Sequence, residues 1–198
     1  MSVNKYYIIH KPYGMLSQFT REHEYPVLGD LFDFPKDVYP VGRLDADSEG
    51  LLLLTNDKKV NNLLLDPIKA HTRSYLAQLD GSITDEAIKK LEEGVTIRIN
   101  NADHFTRPAK VLGKDQPEEI SERVPPIRYR KSIPTSWIEI TLTEGKNRQV
   151  RKMCAVAGFP CLRLIRVAIE DIFLGEMIPG AVMDLKKEIV YKKLKLHI

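Results

Sequence analysis

Apolar residues recur along the chain with two different periods. Ile138, Ile140 and Leu142 alternate with Glu139, Thr141 and Thr143, the spacing of a strand with one buried face. Short runs rich in β-branched, aromatic or leucine residues at 5–10, 51–55, 74–79, 96–99, 109–112, 162–167 and 169–173 predict further strands. Three segments follow the helical period instead. Val60, Leu63 and Leu64 fall at i, i+3 and i+4 behind Asn56 as N-cap, and Asp66-Pro67 ends the run. Ala87, Ile88 and Leu91 share a face that starts at Thr84, has Asp85 and Glu86 in its first turn and stops at Gly94. Val150, Cys154 and Ala157 form the third stripe, capped by Asn147 and closed by Gly158 and Pro160. Strands outnumber helices, which predicts an α+β protein with a central antiparallel or mixed sheet flanked by helices. Residues 113–136 hold Pro117, Pro125, Pro126 and Pro134 with little periodicity, and predict a long functional loop.

With 198 residues, 43% hydrophobic and 29% charged, the chain can bury a core and is expected to form one domain, 1–198, of two closely joined halves. No apolar run approaches the roughly 20 residues of a bilayer-spanning helix. The first eleven residues show no secretory pattern, so a cytoplasmic location is expected. Cys154, Cys161 and five scattered histidines lack the spacing of a disulfide framework or a zinc site, so no metal is expected. The absence of a glycine-rich phosphate loop argues against nucleotide-driven chemistry.

The net charge of +3 says little, but its distribution says more. Between 143 and 166, Lys146, Arg148, Arg151, Lys152, Arg163 and Arg166 face one acid, Glu144. Between 123 and 131, Arg123, Arg128, Arg130 and Lys131 meet none. Either cluster alone is explained by a solvated face; two, interleaved with prolines or aromatics, point to a polyanionic partner. The third helix would also set Arg148, Arg151 and Lys152 beside the amides of its N-terminus, a place that favours anions.

Residues 41–50 place Arg43 and the carboxylates Asp45, Asp47 and Glu49 just before four leucines. A calcium loop is not expected, because its twelfth position would be Asn56 and its second half is apolar. A polar turn capped by its own carboxylates and a catalytic carboxylate held beside Arg43 both remain open. Asp47 and Glu49 are read as turn and surface residues.

Four segments carry a resemblance. His10-Lys11-Pro12-Tyr13-Gly14, Gly42-Arg43-Leu44-Asp45 with Gly50-Leu51-Leu52-Leu53-Leu54-Thr55, Glu144-Gly145-Lys146-Asn147-Arg148-Gln149-Val150-Arg151, and Gly158-Phe159-Pro160 with Leu162-Arg163-Leu164-Ile165-Arg166 resemble the signature blocks of ribosomal-RNA pseudouridine synthases, in the family's order. Pro125-Pro126-Ile127-Arg128 and Pro134-Thr135-Ser136-Trp137 most resemble short members that modify a uridine of large-subunit rRNA. The resemblance implies the pseudouridine synthase fold and a cofactor-free isomerase that detaches uracil from ribose C1′, rotates it and rejoins it through C5.

By the same resemblance Asp45 is the catalytic carboxylate, as nucleophile or as agent of a glycal-forming elimination, and Arg151 is its cationic partner. An aspartate suits the task because it is ionised at neutral pH and a nearby guanidinium keeps it so. Tyr75 matches a tyrosine that stacks on the target base, and Val150 a residue that packs against it, although strand and helix core packing explain both as well. Arg43 matches a residue that engages the RNA backbone beside an extruded base. Lys11, Lys146, Arg148, Lys152, Arg163 and Arg166 become candidates for phosphate contacts, and Arg128 and Arg130 for contacts from the long loop.

Two departures stand out. The sequence starts almost at the first strand of the resemblance, so no separate N-terminal RNA-binding domain like that of many relatives is expected. Pro179-Gly180-Ala181-Val182-Met183 lacks the arginine relatives often place there, and residues 191–198 match nothing interpretable. A monomer acting on large-subunit rRNA is expected. A non-catalytic ribosome-assembly factor on the same scaffold and a relative acting on another rRNA position are the competing readings.

Overall fold

In the computed structural model, which describes residues 3–118, 120–127 and 133–196, the strands in chain order are β1 (Tyr6–Lys11), β2 (Tyr39–Pro40), β3 (Glu49–Thr55), β4 (Arg73–Asp80), β5 (Thr96–Ile99), β6 (Ala102–Phe105), β7 (Lys110–Lys114), β8 (Thr135–Leu142), β9 (Cys161–Ile169), β10 (Ile172–Phe173) and β11 (Val182–Asp184). The helices are α1 (Lys58–Leu65), α2 (Asp85–Glu93), α3 (Gln149–Val156) and α4 (Lys187–Lys193). The chain divides into two compact units, Met1–His71 with Arg166–Ile198, and Thr72–Ile165. The chain passes from the second unit back to the first within β9.

In the first unit the strand order is β11-β1-β3-β9, with β2 on β3 and β10 on β9. β1 and β3 are antiparallel in a register that sets Lys11 opposite Gly50 and Tyr6 opposite Thr55. All of β3 is buried, as an unbroken leucine run requires of a strand covered on both faces. Leu52 and Leu54 join Tyr7, Ile9, Leu28 and Phe34 in one core. Residues 187–193 form α4, which runs into the stretch from 191 that resemblance leaves unread; Val190, Tyr191 and Leu194 are buried. Asp57 binds the ends of this unit together: it accepts from Tyr6 Oη at 2.7 Å, from Tyr191 Oη at 2.8 Å and from the Lys59 amide at 3.0 Å. Burial pushes its carboxyl up, but these bonds prevail and hold it below the usual range. Asp57, not Asn56, therefore caps α1; the Asn56 side chain is engaged by the Lys5 amide and Asp37.

In the second unit the order is β9-β4-β8-β7, with β5 and β6 as a separate hairpin. The period-two expectation holds on β8, where Ile138, Ile140 and Leu142 are buried and Glu139 and Thr141 half-buried. They pack with Ala77, Leu79, Leu91, Val150 and Met153. α2 begins and ends where its pattern predicts, with the Thr84 hydroxyl accepting from the Ala87 amide and Gly94 at φ 100°. The hairpin turns on Asn100 and Asn101, both left-handed, a conformation asparagine tolerates. The predicted pair 162–167 and 169–173 is instead one strand, β9, followed by β10, with Glu170 at φ 47° in the turn between them.

Candidate active site

The Asp45 turn is fastened on both sides of the aspartate. After β2 the chain leaves the sheet at Gly42, whose φ of 72° favours glycine, and returns at Glu49. Before Asp45, Leu44 is buried and tied twice to Ser17: its amide donates to Ser17 Oγ at 3.0 Å, and that hydroxyl donates to its carbonyl at 2.8 Å. After Asp45, the Ala46 carbonyl accepts from the Gly14 amide at 2.7 Å and from Lys11 Nζ at 3.4 Å. Asp45 itself is half-buried and Arg43 exposed. A carboxylate in such a turn is positioned by backbone, independently of its own side-chain contacts.

Lys11 is the centre of this fastening. Its side chain is fully buried, and Nζ also donates to the carbonyls of Met15 at 2.7 Å and Pro12 at 2.8 Å. Burial pushes its ammonium down to about 8, opposed by the negative charges of Glu49, Asp47 and Asp45. Between about pH 8 and the ordinary lysine value of 10.5 the folded chain thus holds fewer protons here than the unfolded one. The contribution of this site to stability therefore rises with pH across that window. Lys11→Met is expected to lower the unfolding free energy by about 3 kcal/mol, since three carbonyls lose a donor and nearby acids a counter-charge. Amide exchange at Gly14 and Leu44 should quicken; unchanged protection at both would show that Lys11 does not hold the turn.

In the second unit the start of α3 is built around Glu144. Its buried carboxylate accepts from the Arg107 amide at 2.9 Å, from Gln149 Nε2 at 2.7 Å and bonds His104 Nε2 at 3.0 Å. Burial raises its pKa, and these three bonds more than offset that, leaving it lowered. Gln149 in turn accepts from the Lys146 amide through Oε1 at 2.9 Å. The chain enters α3 through Arg148 at φ 51° and ψ 33°, so Arg148 and not Asn147 occupies the cap position, with no side-chain cap.

Arg151 Nη1 donates to the Cys161 carbonyl at 3.0 Å, and Lys152 Nζ to the Arg98 carbonyl at 2.9 Å. Lys146 and Arg148 are exposed. Val150 is buried in the core of this unit, and Tyr75, half-buried on β4, packs against the same core.

The sequence of residues 5–156 matches the family described as RNA pseudouridylate synthase. The chain belongs to that family. It is 47% identical over 176 residues to the ribosomal large subunit pseudouridine synthase E of Vibrio parahaemolyticus, covering 89% of this chain and 71% of the relative. It is 44% identical over 174 residues to the protein of the same name from Xanthomonas axonopodis, covering 87% and 89%. A solved structure titled as a pseudouridylate synthase superposes with a TM-score of 0.78 at 25% identity, covering 98% of this chain and 75% of that one. The chain is thus an RNA pseudouridine synthase with the α+β fold of its family.

Within this synthase the predicted site residues are distributed between the units. Lys11, Arg43, Asp45 and Arg166 lie in the first, and Tyr75, Lys146, Arg148, Val150, Arg151, Lys152 and Arg163 in the second. Arg128 and Arg130 lie outside the described residues. Three expected phosphate ligands are corrected: Lys11, Arg163 and Arg166 are buried and turned inward. Arg166 Nε donates to the Leu51 carbonyl at 2.7 Å and Arg163 Nη1 to the Ser121 carbonyl at 3.0 Å. Glu49, expected at the surface, is 2% exposed, because the first position of β3 lies inside the sheet. Ser17 and His104 escaped sequence reasoning altogether; their partners are 27 and 40 residues away, beyond any local pattern.

Proposed function

We propose that this chain isomerises one uridine of large-subunit (23S) ribosomal RNA to pseudouridine, with Asp45 as the catalytic carboxylate. The C1′–N1 bond breaks, the uracil rotates and a C1′–C5 bond forms; N1 gains a proton and C5 loses one. Product and substrate are isomers, so the reaction needs no redox partner or group donor. Asp45 either adds to ribose C1′ and is later displaced, or removes a ribose proton to form a glycal to which the base re-adds. The target nucleotide is extruded from its stack to reach the carboxylate. Tyr75 and Arg151 carry over from the family motifs as catalytic residues, and Arg43 as the group engaging the backbone beside the extruded base. Lys146 and Arg148, both exposed, serve phosphates. The double fastening of the turn around Asp45 is the observation that supports the reading best, because a reacting carboxylate must be held before substrate arrives.

Nucleotide-resolution pseudouridine mapping in a strain lacking this gene alone tests the proposal. One large-subunit uridine should remain unmodified and be restored by the wild-type gene. Loss of a site in another rRNA would make the chain a relative with a different target. Loss of none would leave the ribosome-assembly reading.

A further inference from the structure

We infer that the cleft beside β2 is a second RNA-binding site, which takes one unpaired nucleotide of the substrate away from the uridine being isomerised. The inference rests on the proposed RNA substrate. The cleft has a volume of about 770 Å³, the size of a small-molecule site. It opens where Tyr39 pairs with Thr55, at the end of β3 opposite Gly50, about 17 Å along the strand.

The side chains around it fall into two groups. Asp37, Asn56 and Asp57 are spent on the protein's own bonds: Asn56 Nδ2 donates to Asp37 at 2.9 Å, and Asp57 caps α1 and receives two tyrosine hydroxyls. Lys36, Tyr39, Lys58, Asn61 and Asn62 line the same cleft and, among the described residues, make no polar side-chain contact. Tyr39 is 61% exposed, its ring meeting Phe19 edge-on at 6.5 Å between centroids. A large aromatic left open among lysine, aspartate and asparagine side chains is a platform for a base, and two carboxamides supply the donors and acceptors that read a base edge. The two lysines are matched by Asp37 and Asp57, so the lining has no net formal charge. A base stacked on Tyr39 suits that balance better than an isolated phosphate, with the exposed Lys36 and Lys58 reaching the phosphates on either side.

Binding of a large-subunit rRNA transcript, measured over a series of salt concentrations, tests this together with the single-turnover rate at saturating RNA. Tyr39→Ala should weaken binding about tenfold and leave that rate unchanged. Tyr39→Phe, which keeps the ring, should bind like wild type. Lys36→Gln with Lys58→Gln, both at exposed side chains, should flatten the slope of log K against log salt by about 1.4. Wild-type affinity in Tyr39→Ala together with an unchanged slope in the lysine variant would overturn the inference, and so would equal losses in Tyr39→Ala and Tyr39→Phe. Thermal unfolding of each variant separates lost binding from lost fold. A wild-type protein that binds the transcript and modifies nothing would defeat the proposed function alone, since the binding comparison needs no turnover.

Discussion

Asp45→Asn is expected to abolish pseudouridine formation, lowering single-turnover activity by at least about four orders of magnitude, while folding and RNA affinity stay close to wild type. The substitution replaces a carboxylate oxygen by an amide nitrogen of nearly the same size. It removes the negative charge, and with it most of the nucleophilicity and basicity that either mechanism needs, and an amide neither attacks C1′ nor takes a ribose proton at useful rates. The fold should tolerate the change because the turn is held by its neighbours. Leu44 remains tied to Ser17, and Ala46 to Gly14 and Lys11, whatever occupies position 45.

One compensating shift is expected. Asp45 is among the acids that support the charge on Lys11, so its loss should move that ammonium further below its present value of about 8. Thermal unfolding near neutral pH should register this as a change within about 1 kcal/mol. Tritium release from C5-labelled uridine in an rRNA transcript gives the rate, and filter binding of the same transcript gives the affinity. Turnover by purified Asp45→Asn within tenfold of wild type would remove the aspartate from the chemistry and leave the turn a structural feature.

Features fixed by local rules were legible in the sequence. Four leucines in a row are enough to mark β3 as a strand buried on both faces, and Thr84 with Gly94 marks both ends of α2. The α4 stripe of Val190, Tyr191 and Leu194 was equally present, masked by the lysines around it. What could not be read depends on pairing between distant segments. Lys11 has the residue type of a phosphate ligand, yet antiparallel pairing opposite Gly50 draws it into the interior. The left-handed entry to α3 at Arg148 depends on Glu144, whose partners His104 and Arg107 arrive from another part of the second unit. Cationic side chains illustrate the general difficulty: charge is written in the sequence, whereas the side on which a strand presents that charge is decided by its neighbours. Lys146 and Arg148, on the turn before α3, are exposed; Arg163 and Arg166, on β9, are buried.

Gly50→Ala is expected to be the most destabilising single methyl that the first unit can acquire near the Asp45 turn. Gly50 has a φ of 103°, a region closed to residues with a side chain. The added Cβ would also stand 2.3 Å from the Arg166 carbonyl oxygen and 2.7 Å from its amide nitrogen, both backbone atoms that no rotamer change can clear. Strain at such a dihedral costs about 1–3 kcal/mol, and overpacking a close backbone contact adds about as much. A loss of about 3–5 kcal/mol in unfolding free energy follows, a large share of the stability of an ordinary domain. The damage should also reach the site, since Gly50 directly follows Glu49 at the end of the Asp45 turn and pairs with Lys11. Urea unfolding of the variant, compared with Gly14→Ala, isolates the cause. Gly14 also has positive φ, at 79°, but a Cβ there would meet nothing within 4 Å, so Gly14→Ala should show the dihedral cost alone. If the two variants unfold at the same urea concentration, the close approach of β3 to Arg166 contributes nothing, and the tight contact between these two strands is not what holds the turn in place.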